Sequence, residues 1–218
     1  MKDLRATRGR YIIHDLIEQG EHEHQGFKFS ISDARKIARS ISAFANNDGG
    51  CLLIGEKDNG TIAGVRNEED IYVVEQAAQM YCTPAQEVKF DAFKVDGGLI
   101  VIRATVAKTE RRPVQVLEAD GRRRAYYRVA DENIAAHPLM VRAWQKEHDN
   151  SDSLFTLSDA ETALLNVLSE SDAPIDTARL PMLLHISQRA SDDMVVRLAA
   201  MGIVRFVYVN QQFKITRC

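Results

Sequence analysis

Along the first 150 residues, segments with the apolar spacing of a helix are followed by segments with the apolar pattern of a strand. Apolar residues recur every three or four positions in 8–19, 32–46 and 68–82, which predicts three amphipathic helices. The continuous apolar run Cys51-Leu52-Leu53-Ile54-Gly55 predicts a strand buried on both faces. Shorter patterns predict six further strands and then a helix over 134–147; the strands are 23–29, 61–65, 87–95, 99–106, 114–118 and 125–129. This order, β-α-β-α-β-β with an extra hairpin, predicts an α+β layer structure.

A different pattern begins after a polar stretch around residue 150. Ser158 and Glu161 have the spacing of a capping box, which marks the start of a helix. We therefore predict two domains, 1–150 and 151–218. In the second domain we predict three helices and a hairpin, at 159–169, 177–184, 187–201, 203–208 and 213–216. Three short helices followed by a two-stranded wing are typical of a winged helix-turn-helix domain.

Composition restricts the class of protein. With 45% apolar and 27% charged residues, the 218-residue chain can build a core and keep a wet surface. The three cysteines are far apart, which fits neither a disulfide framework nor a zinc site. There is no secretory signal and no run of about 18 apolar residues, so we expect a cytoplasmic protein without a membrane partner. A formal net charge of −3 argues against a uniformly basic coat and leaves a local patch as the possible nucleic-acid site.

Such a patch is predicted between Arg103 and Arg128, where the sequence has eight Lys and Arg residues but only three Asp and Glu residues. Arginine forks suit phosphate contacts, and a neighbouring aromatic ring suits stacking. The candidate binding residues in this patch are Arg111, Arg112, Arg122, Arg123, Arg124 and Tyr126. Lys28, which lies outside the patch in the same domain, is a further candidate. The alternative is that a hairpin tip exposes charge only for solubility.

The second domain has the opposite charge balance, six Lys and Arg against eight Asp and Glu over 151–218. Base reading by a winged helix would come from the start of its third helix, here Ser187, Gln188 and Arg189. Asp192 and Asp193 lie one turn further on and would repel phosphates. The pattern leaves DNA reading and dimerisation both open.

One set of motifs resembles a known family. Phe27-Lys28 is followed by a helix that ends in Ala43-Phe44-Ala45-Asn46, then by the Gly49-Gly50 turn, the apolar strand and the turn Asp58-Asn59-Gly60. In this order the chain resembles the Schlafen AlbA-type domain over about residues 20 to 135. The resemblance implies an Alba-like layout and a DNA-binding role.

Some Schlafen-type domains are nucleases with an acidic cluster, and the resemblance implies which residues would form it. Glu21 and Asp58 can fill two of its places, but Gly26 stands where the key glutamate is expected. Metal-assisted cleavage needs clustered carboxylates, so we expect neither a metal nor catalysis. His22 and His24 could begin a metal site on a strand, but no third ligand accompanies them.

The sequence thus favours a nucleic-acid-binding protein without a cofactor, with DNA favoured over RNA, acting as a homo-oligomeric transcriptional regulator. Two alternatives stay open. One is a degenerate metal-dependent nuclease acting on RNA through Glu21 and Asp58. The other is a protein-interaction or dimerisation module whose charged hairpin is only solvated surface.

Overall fold

The computed structural model describes residues 4–57, 60–65, 69–147, 156–171 and 173–218. The chain forms two compact units, residues 1–136 and 137–218. Within the described residues, no helix is both long and apolar enough to cross a bilayer. The structure confirms a mixed α+β fold.

The first unit contains three helices and nine strands among its described residues. The helices are α1 (Arg10–Gln19), α2 (Ala34–Asn46) and α3 (Glu69–Gln76), and α3 continues as a π-helical turn over Ala77–Tyr81. The strands are β1 (Thr7–Arg8), β2 (Gln25–Lys28), β3 (Gly50–Ile54), β4 (Cys82–Thr83), β5 (Val88–Lys94), β6 (Ile100–Val106), β7 (Gln115–Leu117), β8 (Arg123–Val129) and β9 (Glu132–Ala135).

A five-stranded mixed sheet lies at the centre of this unit, in the order β1-β5-β6-β3-β2. The outer pairs β1-β5 and β2-β3 are parallel, while β6 runs antiparallel to β5 and β3. Leu52 and Ile54 belong to the core cluster that includes α2, whereas Leu53 belongs to the cluster that includes Ile13 of α1. The central strand is therefore buried on both faces, as its apolar run predicts.

Helix α2 joins this sheet to a second, antiparallel sheet of order β4-β7-β8-β9. The helix begins at the side chain of Asp33, which accepts hydrogen bonds from the backbone N–H groups of Arg35 and Lys36. At its other end the buried Asn46 side chain donates to the carbonyls of Val114 and Tyr126 (both 2.9 Å) and accepts from Val114 N (2.7 Å). The asparagine of the Ala-Phe-Ala-Asn motif thus connects the helix to β8 and to the residue that precedes β7.

The second unit contains α4 (Pro138–Lys146), α5 (Asp159–Glu170), α6 (Leu180–Leu184), α7 (Gln188–Ala200), β10 (Val204–Val209) and β11 (Gln212–Arg217). Ser158 and Glu161 form the predicted capping box of α5. Strands β10 and β11 pair antiparallel, and Ile175 bridges to Ile215 of β11. Helices α5, α6 and α7 followed by this hairpin have the element order on which the winged-helix prediction rests.

Two elements differ from expectation because of glycine and proline. Residues 61–65 form only an isolated bridge, between Glu56 and Ile62, because Gly60 (φ 78°) and Gly64 (φ 74°) adopt left-handed conformations that interrupt a strand. The helix predicted over 134–147 begins instead at Pro138, and the residues before it pair with β8. A proline has no N–H to lose at the start of a helix and disfavours helical backbone in the residue before it.

The boundary between the units also lies earlier than the predicted position near residue 150. Helix α4 buries Leu139, Met140, Ala143 and Trp144 and packs against α7 of the second unit. The polar stretch that follows α4 therefore lies inside the second unit's sequence instead of between the two units.

Candidate nucleic-acid interface

The arginine hairpin consists of β7, β8 and the turn of residues 118–122 between them. The turn is closed by hydrogen bonds from Glu118 N to the carbonyl of Arg122 and from Gly121 N to the carbonyl of Glu118. Arg122, at the end of the turn, and Arg123 and Arg124, at the start of β8, are exposed. Arg124 donates to Asp120 at 2.8 Å, so the hairpin presents less net positive charge than the sequence indicates.

Tyr126 does not belong to this exposed surface. Its side chain is buried, and its hydroxyl donates to Glu118 Oε1 at 2.6 Å. Arg39 of α2 binds the same carboxylate through Nε (2.9 Å) and Nη2 (2.6 Å). Burial raises the pKa of Tyr126 to about 12, and the Arg39 hydrogen bond holds the pKa of Glu118 below its usual value. Tyr126 therefore braces the hairpin against α2 and is not a stacking platform.

Several basic residues of the predicted patch are occupied within the protein. Arg103 pairs with Asp91 and Lys108 pairs with Asp48. Arg112 is half-buried and donates to the carbonyl of Asn46 at 3.2 Å. Among the predicted binding residues, those that lie exposed in the first unit are Arg111, Arg122, Arg123 and Arg124.

Arg128 is a buried cation inside the first unit, although its position in the sequence placed it in the predicted basic patch. Its guanidinium donates to the carbonyls of His22 (3.3 Å) and Gln25 (3.0 Å) and to Asn133 Oδ1 (3.0 Å). Burial lowers its pKa, and its charge lies over the ring of Phe44, 5.1 Å from the centroid. Arg128 thus replaces solvent contacts by three internal acceptors.

The place of the expected key glutamate adjoins this arginine. A Cβ atom added to Gly26 would lie 3.3 Å from Arg128 Nη2 and 3.3 Å from Glu21 Oε1. Glu21 accepts the backbone N–H of Phe27 at 2.6 Å, and Lys28 Nζ lies 4.0 Å from the same oxygen. Lys28 itself donates to the carbonyl of Phe27. The Glu21 carboxylate, which a metal ion would need as a ligand, therefore lies near the positive charges of Arg128 and Lys28.

A second carboxyl group, Glu56, was missed by the sequence reasoning. Its side chain is fully buried, and its oxygens accept no hydrogen bond from the described part of the chain. Burial, together with the negative charge of Glu21, raises its pKa to about 7. No motif indicated this, because Glu56 follows Gly55 at the end of an apolar strand and looks like the first polar residue of a turn.

These residues do not fit a metal centre. Asp58 lies outside the described residues, and no group of three His, Cys, Asp or Glu among those described could hold a metal ion. His22 and His24 have ring centroids 6.0 Å apart, but His24 Nδ1 is within 3.0 Å of the Gly49 carbonyl. The guanidinium of Arg128 beside Gly26 further disfavours a divalent cation there.

In the second unit, the start of α7 presents the predicted reading residues. Ser187 caps the helix by accepting from Ala190 N, and Arg189 has 94% of its side chain exposed. Gln188 donates to Asp192 at 2.7 Å, while Arg142 of α4 pairs with Asp193. The two aspartates expected to repel phosphates are thus engaged by neighbouring donors.

A family model supports the assignment of the first unit. The model "Schlafen, AlbA_2" matches residues 21–137, more than half of the chain. The chain belongs to the Schlafen AlbA_2 family. This match covers the motifs from Phe27-Lys28 to the end of the arginine hairpin.

Two solved structures are similar to the chain. One is the DIP2311 protein from Corynebacterium diphtheriae, with 21% identity and a TM-score of 0.43 over 88% of this chain and 34% of that one. The other is the N-terminal domain of a RecG-related protein from Nitrosomonas europaea, with 21% identity and a TM-score of 0.39 over 67% of this chain and 95% of that one. The chain spans about a third of the length of the Corynebacterium protein. No curated protein matches the chain.

Proposed function

We propose that this protein binds nucleic acid without catalysis, as a DNA-binding transcriptional regulator of the cytoplasm. Membership of the Schlafen AlbA_2 family supports a nucleic-acid-binding domain. The observation that carries the proposal is the arginine hairpin, where Arg122 and Arg123 are exposed beside the hydrogen-bond network of Glu118, Arg39 and Tyr126. A hairpin whose backbone is held in place positions its arginines for phosphate contacts at a lower entropic cost than a mobile loop.

The chemistry expected of this hairpin is backbone contact, with Arg111 as a neighbouring donor. Lys28 stays a weaker candidate because it already contacts Phe27 and Glu21. We assign sequence reading to the exposed Arg189 and to Gln188 and Ser187 at the start of α7.

The test is a fluorescence-anisotropy titration with a labelled DNA duplex at about 50 and 200 mM salt. Arg122→Ala/Arg123→Ala is expected to reduce the slope of log affinity against log salt by about 1.8, since each neutralised phosphate contributes about 0.9. Lys36→Ala/Lys89→Ala is the charge-matched control, because both lysines are exposed outside the hairpin. Equal losses in the two double variants would assign binding to net charge and contradict the hairpin assignment.

A second candidate role concerns the second unit alone. Met182 and Leu183 of α6 have 73% and 41% of their surface exposed, which favours a protein contact such as homodimerisation over DNA reading. Light scattering after gel filtration tests this, with Met182→Glu expected to convert a dimer into a monomer. A monomeric wild type would contradict this role and leave the DNA-binding proposal unaffected.

A further inference from the structure

A second basic surface lies at the edge of the five-stranded sheet, where the sequence analysis indicated nothing. Strand β1, the start of α1 and the end of β5 border an open groove of about 480 Å³. We call it the Tyr11 groove; it is lined by Arg8, Arg10, Tyr11, Ile12, Lys94 and Asp96. None of these residues belongs to the arginine hairpin.

Two positively charged residues are paired in the backbone register at this groove. In the parallel pairing of β1 with β5, Arg8 is the register partner of Lys94. Like charges on neighbouring strands repel each other, and a bound anion would relieve that repulsion. Neither side chain forms an ion pair within the described part of the chain, whereas the acidic Asp96 is occupied by Arg10 at 3.0 Å. The groove lining therefore carries uncompensated positive charge.

An exposed aromatic ring lines the same groove. Tyr11 has 80% of its surface exposed and Ile12 has 45%, and both lie in the first turn of α1. The backbone beneath them is held close to the sheet, because a Cβ at Gly9 would lie only 2.2 Å from the Phe93 ring. The ring is thus presented to solvent by a fixed backbone and is not covered by its own unit.

We propose that the Tyr11 groove binds single-stranded nucleic acid, with a base stacked on Tyr11 and an adjacent phosphate held by Arg8 and Lys94. An exposed aromatic beside unpaired cations is the combination that single strands require, because every base offers a face and every linkage a negative charge. A duplex does not satisfy this arrangement, since its bases are already stacked on one another. The inference deepens the proposed function and rests on it.

The test compares full-length variants in anisotropy titrations with a labelled oligothymidylate and with a duplex. Tyr11→Ala is expected to weaken single-strand binding by about 5- to 150-fold, and Tyr11→Phe to retain it, because the phenyl face still stacks. Tyr72→Ala is the matched control, since Tyr72 is 53% exposed on α3 beside Glu69 and Glu75. Lys94→Ala is expected to reduce the single-strand salt slope by about 0.7.

The outcomes separate this inference from the function on which it rests. If Tyr11→Ala and Lys94→Ala bind the single strand like wild type while Arg122→Ala/Arg123→Ala does not, the groove is not a binding site and the proposed function stands. If Tyr11→Ala weakens duplex and single strand equally, stacking on the ring is contradicted. If wild type binds neither probe at low salt, both proposals fail. Unchanged thermal melting of Tyr11→Ala verifies that the fold is intact.

Discussion

At the scale of single residues, two buried charged groups in the first unit have opposite surroundings. Arg128 has three acceptors within 3.3 Å, which keeps its charge satisfied inside the protein. Glu56 has no donor within the described part of the chain and lies near the charge of Glu21. A buried carboxyl without a donor favours its protonated form.

This difference predicts a pH dependence of stability. The folded-state pKa of Glu56 is raised to about 7 from a usual 4.5, so the folded state favours the proton. The contribution of this group to stability is fully present below about pH 4.5 and is lost as the pH rises through 7, by up to about 3 kcal/mol. We expect Glu56→Gln to remove this loss, measured by urea unfolding at pH 5 and pH 8.

The control for that measurement is Glu23→Gln, because Glu23 is an exposed carboxyl of the same unit. Its stability should follow that of wild type at both pH values. A wild-type minus Glu56→Gln difference that stays constant between the two pH values would contradict the raised pKa of Glu56.

At the scale of elements, the asparagine that ends α2 decides how the two sheets meet. The Asn46 side chain bonds to β8 and to the segment that leads into β7 through three hydrogen bonds in a fully buried position. The sequence predicted Asn46 only as part of a helix end. Its partners Val114 and Tyr126 are 68 and 80 residues away, so no local pattern could identify them.

Removing those bonds should uncouple the hairpin from the helix. Asn46→Ala would remove the partner of the Val114 N–H and of the Tyr126 carbonyl, at a cost of about 2 kcal/mol or more in unfolding free energy, while the Val114 carbonyl keeps the Ser42 hydroxyl as a donor at 2.8 Å. Asn46→Asp should lose nearly as much, because a carboxylate cannot donate to the carbonyls of Val114 and Tyr126. Chemical denaturation measures both, with the exposed Gln76→Ala as the reference. A loss below about 1 kcal/mol for Asn46→Ala would contradict this role.

At the scale of the whole molecule, the division into units assigns α4 to the second one. A fragment that starts at residue 151 would lack α4 and expose the face of α7 on which α4 packs. We expect a fragment of residues 137–218 to be more stable than one of 151–218 by at least about 3 kcal/mol, given four buried apolar residues on α4. Urea unfolding followed by far-ultraviolet circular dichroism compares the two fragments. Equal midpoints would instead favour the boundary near residue 150.

The whole molecule is also expected to lack nuclease activity. Arg128 lies beside Gly26, and the described acidic groups do not form a metal site. Incubation of transfer RNA or single-stranded DNA with Mn²⁺ should therefore leave the substrate intact. Cleavage that disappears in Glu21→Gln and in Asp58→Ala, but persists in Glu23→Gln, would establish the nuclease alternative.

The sequence by itself determined the α+β class, the helices α1, α2, α5 and α7, the buried strand β3 and the family, because periodicity, capping residues and motifs act within a few neighbouring positions. Only the tertiary structure decided which charges are available. It buried Arg128 and Tyr126, left Glu56 without a donor among the described residues, and made Arg8 the strand partner of Lys94 across 86 positions of chain. Burial and ion pairing depend on contacts between distant segments, and these contacts set both the hairpin surface and the Tyr11 groove.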